Sequence, residues 1–243
     1  MHFNIVTIFP DWFTSPLATS LLKKAQDKGI LSVEAHDLRD YAPGNHRATD
    51  DVPYGGGLGM VMTPEPLINA IEATTPPEGT WRRILLSPQG QPLSQQKVAD
   101  LAKLDGMTLV CGRYEGVDER FLRFVDEEIS IGDYIVSGGE VAAFVLIDSV
   151  ARLIPGVIGK EKSTEEESFS DGLLEYPQYT RPETFRGMRV PRILLSGHHA
   201  NIGRWRRRQA LLRTRQRRPD LLRNRKLSAE ELDWIQSSFG KDA

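Results

Sequence analysis

For about 155 residues from its start the chain alternates short apolar, β-branched runs with stretches of helical period, which implies a largely parallel α/β sheet. Phe3 to Phe9 reads as the first strand, stopped by Pro10. Ser15-Pro16 sets a capping hydroxyl before a proline at the first helical position, and Gly29 closes the helix that they open. Leu31 to Leu38 is expected as the second strand. Residues 39 to 60 read as loop, ending in Tyr54-Gly55-Gly56-Gly57-Leu58-Gly59. Further strands are predicted at Arg82 to Leu86, Met107 to Cys111 and Glu128 to Ile131, and helices at Ser94 to Leu104 and Glu140 to Ile154. Pro155-Gly156 is expected to end the last helix.

After this alternation the composition changes. Residues 157 to 176, including Lys160-Glu161-Lys162-Ser163-Thr164-Glu165-Glu166-Glu167-Ser168, are charged and hydroxyl-rich without apolar periodicity, the composition of a mobile connection. From Pro177 onward the pattern reads as helical, with Ile202, Trp205, Gln209 and Leu212 on one stripe and arginines over the rest. The net charge of −2 conceals a division, since residues 181 to 243 hold 16 Lys/Arg against 6 Asp/Glu and the remainder is correspondingly acidic. Between Arg204 and Lys226 only Asp220 opposes eleven basic residues. Such a basic end on an acidic body predicts a polyanionic partner.

Other function classes fit poorly. The single cysteine, Cys111, excludes an internal disulfide framework and a thiolate zinc site within one chain. His198 and His199 are adjacent, a spacing that puts both on one metal in neither strand nor helix. The glycines at 55 to 57 lack a following Gly-Lys-Ser/Thr, and no Gly-x-Gly-x-x-Gly opens a helix after the first strand, which argues against a nucleoside triphosphate or a dinucleotide. No apolar run approaches the roughly 20 residues that cross a bilayer, and Met1-His2-Phe3-Asn4 carries no basic leader, so a cytoplasmic, non-membrane protein is expected.

Three segments run from an apolar strand into a loop of glycine and polar residues: Leu85 to Gly90, Val110 to Gly116 and Ile131 to Glu140. In open α/β sheets ligands gather beyond the carboxyl ends of strands, where glycine lets backbone amides approach closely. Three such loops in one half of a domain point to a shared pocket. Together with Pro53-Tyr54-Gly55-Gly56-Gly57, Tyr179-Thr180-Arg181-Pro182 and Ser196-Gly197-His198-His199, the strings Ser87-Pro88-Gln89-Gly90, Cys111 to Arg120, Ile131-Gly132-Asp133-Tyr134 and Gly138-Gly139-Glu140 resemble the bacterial tRNA (guanine-37-N1)-methyltransferase family. The resemblance runs over nearly the whole chain.

What the resemblance implies goes beyond periodicity. It implies a homodimer of the SPOUT superfamily, with an α/β methyltransferase domain over residues 1–159 whose cofactor-binding part, about 83–155, is a trefoil knot. A flexible linker at 160–176 and a small, basic, all-helical tRNA-binding domain at 177–243 would follow. S-adenosylmethionine would be held by Leu86, Ser87, Pro88 and Gln89; by Gly112, Tyr114, Glu115 and Gly116; and by Ile131, Gly132, Asp133, Tyr134, Ile135, Val136, Gly138 and Gly139. Arg204, Arg206, Arg207, Arg208, Arg213, Arg215, Arg217 and Arg218 would meet the RNA.

Methylating guanine N1 requires a base for its proton and a cation for the charge that spreads to O6. The resemblance implies Arg152 as the cation, against the alternative of a helix-surface pair with Asp148. It implies Glu167 as the base, although the family usually has Asp-Ser-Phe where this chain has Glu167-Ser168-Phe169; Asp171 is the substitute. Val141-Ala142 also stands where relatives often carry proline. The family is also thought to need Mg²⁺, with Glu115 a candidate ligand, though the sequence has no metal signature. Competing readings are a SPOUT methyltransferase acting on ribosomal RNA and a non-catalytic RNA-binding protein with the glycine loops as scaffold.

Overall fold

A computed structural model of the chain describes residues 1–159 and 166–238. It divides into two compact units, Met1–Glu161 and Lys162–Ala243. The elements of the first unit are β1 (His2–Thr7), α1 (Thr14–Leu17), α2 (Ser20–Asp27), β2 (Ser32–Asp37), β3 (Asp50–Asp51), β4 (Val61–Met62), α3 (Pro64–Thr74), β5 (Trp81–Pro92), α4 (Gln95–Leu101), β6 (Gly106–Cys111), β7 (Glu127–Ser130) and α5 (Gly139–Ala151). Five strands form a parallel sheet in the order β2-β1-β6-β5-β7. β3 and β4 pair separately and antiparallel.

Alternation along the strands sorts the core into two layers. Phe3, Ile5, Ile84, Leu86, Met107, Leu109 and Cys111 pack with α2, α4 and α5 on one face. Val6, Leu85 and Val110 pack with α3 and Phe121 on the other. A strand buried on both faces should read as a continuous apolar run, and all six residues of β6, in the middle of the sheet, are buried. Each fully buried side chain of this kind contributes about 1.5–3 kcal/mol. Thr108, the polar exception, shares a 2.8 Å hydrogen bond with the Thr75 hydroxyl.

Helix ends follow their local chemistry. Gly29, at φ +67°, lets α2 end with the Ile30 amide donating to Ala25 and the Gly29 amide to Gln26, so two terminal carbonyls find partners. Ser94 caps α4 by accepting from the Lys97 amide at 3.2 Å. The single helix expected between Ser15 and Gly29 is two, because the Thr19 hydroxyl donates back to the Pro16 carbonyl at 3.1 Å and offers the backbone a local alternative to continuing. α5 ends at Ala151 rather than Ile154, and the Leu153 and Ile154 amides donate to Val150 and Ala151 in tighter turns. α3 lies in a stretch that the periodicity reading left unassigned, and Thr63-Pro64-Glu65 carries its start signal.

The second unit contains β8 (Thr184–Phe185), β9 (Met188–Arg189), α6 (His199–Arg217) and α7 (Ala229–Ser238). It is therefore not purely helical, since β8 and β9 form an antiparallel ribbon. Arg186 and Gly187 supply its two positive-φ turn residues. The buried face of α6 also differs from the expected stripe. Ala210, Leu211 and Thr214 are buried against Leu173 and Trp234, whereas Ile202, Trp205, Gln209 and Leu212 are only partly covered. Thr214 is tolerated inside because its hydroxyl donates to Ala210 at 2.7 Å and accepts from the Leu174 amide at 2.8 Å.

Part of the stretch read as a mobile linker, residues 160–165, lies outside the described residues. Residues 166–176 pack within the second unit. Leu173 and Tyr176 join its core, Asp171 is paired with Arg207 and Arg225, and Arg213 donates to the Glu175 carbonyl. Among the described residues no helix is long and apolar enough to cross a membrane.

Candidate active site

The carboxyl ends of β5, β6 and β7 open into one cavity of about 390 Å³ in the first unit, within the range of small-molecule sites. Each strand delivers one of the three loops. After Leu86 the chain bulges out for four residues and rejoins the sheet at Gln91, which shares its partner Ile129 with Leu86. Inside the bulge the Gln89 amide donates to the Ser87 hydroxyl at 3.1 Å. Gly90 closes the bulge against β7, where a Cβ would stand 2.5 Å from the Ile129 nitrogen.

The β6 loop is fixed from beneath. The Glu115 amide donates to Met60 and the Met62 amide to Gly116, tying the loop to β4. Tyr114 takes φ +61° and leaves its ring half exposed at the rim. Burial raises the Tyr114 phenol above its ordinary range, and the neighbouring Asp50 adds to the effect. In the β7 loop Gly132 turns at φ +144°, and the Tyr134 hydroxyl donates to the Ile131 carbonyl at 3.1 Å.

α5 starts on the cavity wall. The Gly139 amide donates to the Gly112 carbonyl at 2.8 Å. A Cβ on Gly139 would lie 2.6 Å from the Cys111 Cα, so only glycine lets the helix end touch the end of β6. Gly139→Ala is accordingly expected to lower the melting temperature and to weaken cofactor binding at least tenfold, measured by thermal melts and calorimetry; unchanged values in both would sink this account of the junction.

A cluster absent from the sequence-based site fixes the same junction. Arg113 pairs with Glu140 at 2.9 Å, donates to the Ser137 carbonyl at 3.1 Å and lies 4.6 Å over the Phe9 ring. Glu140, buried at 1% exposure, also accepts from the Thr7 hydroxyl at 2.6 Å. A buried carboxylate in the first turn of a helix gains from the helix dipole as well as from its cation. The signal was present in the sequence, as an arginine inside one glycine loop and a glutamate closing another. Cys111 is no nucleophile here, since burial pushes its thiol up, with Glu140 adding to the shift.

Of the sixteen residues expected to hold the cofactor, fifteen line this cavity, and Asp133 does not. Arg113, Ser137 and Ala142 line it as well, together with the carboxylate residues Glu119 and Glu128. With Glu115, that gives three acidic residues around the space. The first residue of α5, Gly139, and its N-cap, Gly138, line the same cavity. Such a site suits a ligand carrying both positive charge and a carboxylate. Among the described residues no group of three His, Cys, Asp or Glu side chains could hold a metal ion, so Mg²⁺ has no fitting donor set there.

Arg152, expected as a catalytic residue, is not among the residues that line the cavity. Arg152 follows the last residue of α5, so the 13 residues of the helix separate it from Gly139, about 20 Å along the axis. Glu167, in the second unit, is partly buried and lines a smaller cavity of about 250 Å³ with Arg206, Arg207 and Asp171. Although burial raises its carboxyl, Arg207 and Arg225 hold Asp171 below the ordinary carboxylate range. That makes Asp171 a weak base.

The eight arginines fall into three groups. Arg204, Arg206, Arg207 and Arg218 pair with Glu230, Glu166, Asp171 with Glu231, and Asp220 respectively. Arg213 and Arg215 donate to the carbonyls of Glu175 and Ile235. Arg208 and Arg217 are exposed, with no acidic partner among the described residues.

Comparison with known proteins bears on what the cavity serves. Residues 1–224 match the family model described as tRNA (Guanine-1)-methyltransferase TrmD. A protein of Carboxydothermus hydrogenoformans named tRNA (guanine-N(1)-)-methyltransferase is 54% identical over 240 residues, 98% of this chain and 94% of that one. A protein of the same name from Shouchella clausii is 51% identical over 242 residues, 99% of each chain. With its parallel sheet, its three-loop cavity and this agreement along its length, the chain belongs to the tRNA (guanine-1)-methyltransferase TrmD family.

Proposed function

We propose that the protein transfers a methyl group from S-adenosylmethionine to N1 of the guanine at position 37 of tRNA, 3′ of the anticodon. One observation carries this reading: in a chain of this family, a cavity of about 390 Å³ at the carboxyl ends of three parallel strands is bordered by three carboxylates and a helix start. S-adenosylmethionine supplies an electrophilic methyl group on a sulfonium when bound. Glu115, Glu119 and Glu128 favour its positive charges, and the first turn of α5 favours its carboxylate. Gly112, Gly116, Gly138 and Gly139 admit it close to the backbone.

In the RNA, Glu167 takes the N1 proton while Arg152 balances the charge that develops on O6. The length of α5 separates Arg152 from the cavity of its own chain, which supports a homodimer in which a second copy completes each site. Val141 and Val145, one turn apart and exposed on an otherwise apolar α5, support that face as the interface. The trefoil knot over about 83–155 belongs to the same reading, supported by β5 lying between β6 and β7 and pairing with β7 on both sides of the bulge. The second unit supplies RNA affinity, Arg208 and Arg217 most directly. No step is routed through Mg²⁺. The setting of such an enzyme is the cytoplasm.

Incubation with S-adenosylmethionine and an unmodified tRNA transcript, followed by digestion and mass spectrometry, should locate one methyl group on N1 of guanine 37. A product in ribosomal RNA but not in tRNA, or cofactor binding without any transfer, would overturn the assignment. Light scattering at micromolar concentration should give a dimer without RNA.

A further inference from the structure

Glu167 sits in a stretch with neither helix nor strand, residues 166–176, yet that stretch is closely bonded. Its first half folds on itself: the Ser170 amide donates to the Glu167 carbonyl at 3.2 Å, Gly172 to Phe169 at 3.2 Å and Phe169 to Leu173 at 2.7 Å. Phe169 takes φ +75°, which an aromatic residue adopts only where its surroundings impose it. The second half is anchored separately. Leu173 lies in the core of the unit, the Leu174 amide donates to the Thr214 hydroxyl at 2.8 Å, and the Glu175 carbonyl accepts from Arg213 at 3.3 Å. Ser168 joins the halves, its hydroxyl accepting from the Glu175 amide at 2.9 Å.

Asp171 fastens the half that carries Glu167. One of its carboxylate oxygens accepts from the Leu173 amide at 3.2 Å and closes the turn. The other pairs with Arg207, and with Arg225 at 3.4 Å, while Arg225 also donates to the Asp171 carbonyl. Arg207 is itself held on its other edge by the buried Glu231 at 2.8 Å, which accepts from the Ser228 amide at 2.9 Å where α7 begins. Asp171 borders the same cavity of about 250 Å³ as Glu167. Two arginines and an amide occupy most of the lone pairs of its carboxylate, and they fix the backbone just after Glu167.

Resting on the reading of Glu167 as the base, we propose that Asp171 is a positioning residue for it: gripped by Arg207 and Arg225, Asp171 sets the turn that presents the Glu167 carboxylate to the guanine. Arg207 and Arg208 are neighbours on α6, the first paired to this turn and the second exposed. The helix that meets the RNA backbone therefore also carries the clamp on the base. A misplaced reacting group loses far more in rate than in affinity, so the clamp belongs to the chemical step.

The test uses the full-length protein, an unmodified tRNA transcript and single-turnover methyl transfer. Asp171→Asn keeps the volume and the acceptor for the Leu173 amide and loses the charge that the two arginines grip. Its rate should fall about tenfold while affinities for S-adenosylmethionine and tRNA stay within about threefold. Asp171→Glu, which keeps the charge, should recover most of the rate. A residue that acts only through Glu167 costs nothing once Glu167 is gone, so Asp171→Asn should add no loss in a Glu167→Gln background. The same loss in both backgrounds would show Asp171 working apart from Glu167 and overturn the proposal. A wild-type rate for Asp171→Asn, or a tRNA affinity that falls in step with the rate, would overturn it as well. If Asp171→Asn fails to fold, Arg225→Lys supplies the same cycle: it loosens the clamp and keeps the charge, and a rate loss confined to the Glu167 background is expected, an unchanged rate counting against the clamp. A wild-type rate for Glu167→Gln alone would instead remove the base named in the function proposed above.

Discussion

Replacing Glu167 by glutamine is expected to lower the single-turnover rate of methyl transfer by at least about tenfold while affinities for cofactor and tRNA stay within a small factor. Neutral guanine N1 is a poor nucleophile, and a well-positioned carboxylate base contributes on the order of 10² to 10⁴ in rate. Glutamine keeps the size and hydrogen-bonding reach of the side chain and loses only its capacity to take a proton. A loss confined to the rate marks an interaction that belongs to the transition state. Glu165→Gln and Glu166→Gln should be nearly silent in rate, because an acidic run that acts only through its charge would treat all three residues alike. Glu167→Asp should retain activity, since it supplies the residue usual in the family. Equal single-turnover rates for wild type and Glu167→Gln would remove Glu167 from the chemistry. Attention would then move to Asp171, the substitute, although its pairing with Arg207 and Arg225 lowers its proton affinity against the effect of burial.

Asp171 illustrates where sequence reading stops. Strands β1, β2, β6 and β7 were legible to within two residues, β6 because a strand buried on both faces must be apolar along its length, the edge strands β2 and β7 although they are largely polar. The three glycine loops were legible for a related reason: only glycine allows the close approach at Gly139 and the positive φ at Gly116 and Gly132. Interactions between residues far apart in sequence were not legible. Thr7, Arg113 and Glu140 form one network across 133 residues of chain; Arg113 and Glu140 are visible in their glycine loops, but no local pattern pairs them. The arginines from Arg204 to Arg218 do more than their density predicts. It predicts a polyanionic partner, and within the second unit four of the eight also pair with acidic side chains and two bond backbone carbonyls, because a unit with so small an apolar core is also held by its charged side chains.

That dual use determines how the second unit should be removed to measure its role. A cut before Pro177 would leave Leu173 and Tyr176 without the core that they share with Leu211 and Trp234, so the exposed stub itself would confuse the result. The cut belongs after Glu161, where the two compact units divide. The first unit keeps both layers of its core and its cavity. It should therefore bind S-adenosylmethionine within a few-fold of the full chain. Its affinity for tRNA should fall by two or more orders of magnitude at about 0.15 M salt, because the basic excess of the chain lies after residue 180. Contacts with several phosphates should make the affinity of the full chain steeply salt-dependent, with a log–log slope close to the number of phosphates neutralised. The truncated protein should lose most of that slope. Arg208→Ala and Arg217→Ala should each weaken binding and reduce the slope by about one, as expected for arginines that meet phosphate rather than support the fold. Arg207→Ala should instead lower the melting temperature, since it leaves Asp171 and Glu231 short of a cation. A truncated protein that binds tRNA with the affinity and salt slope of the full chain would transfer RNA recognition to the first unit and leave α6 a structural element.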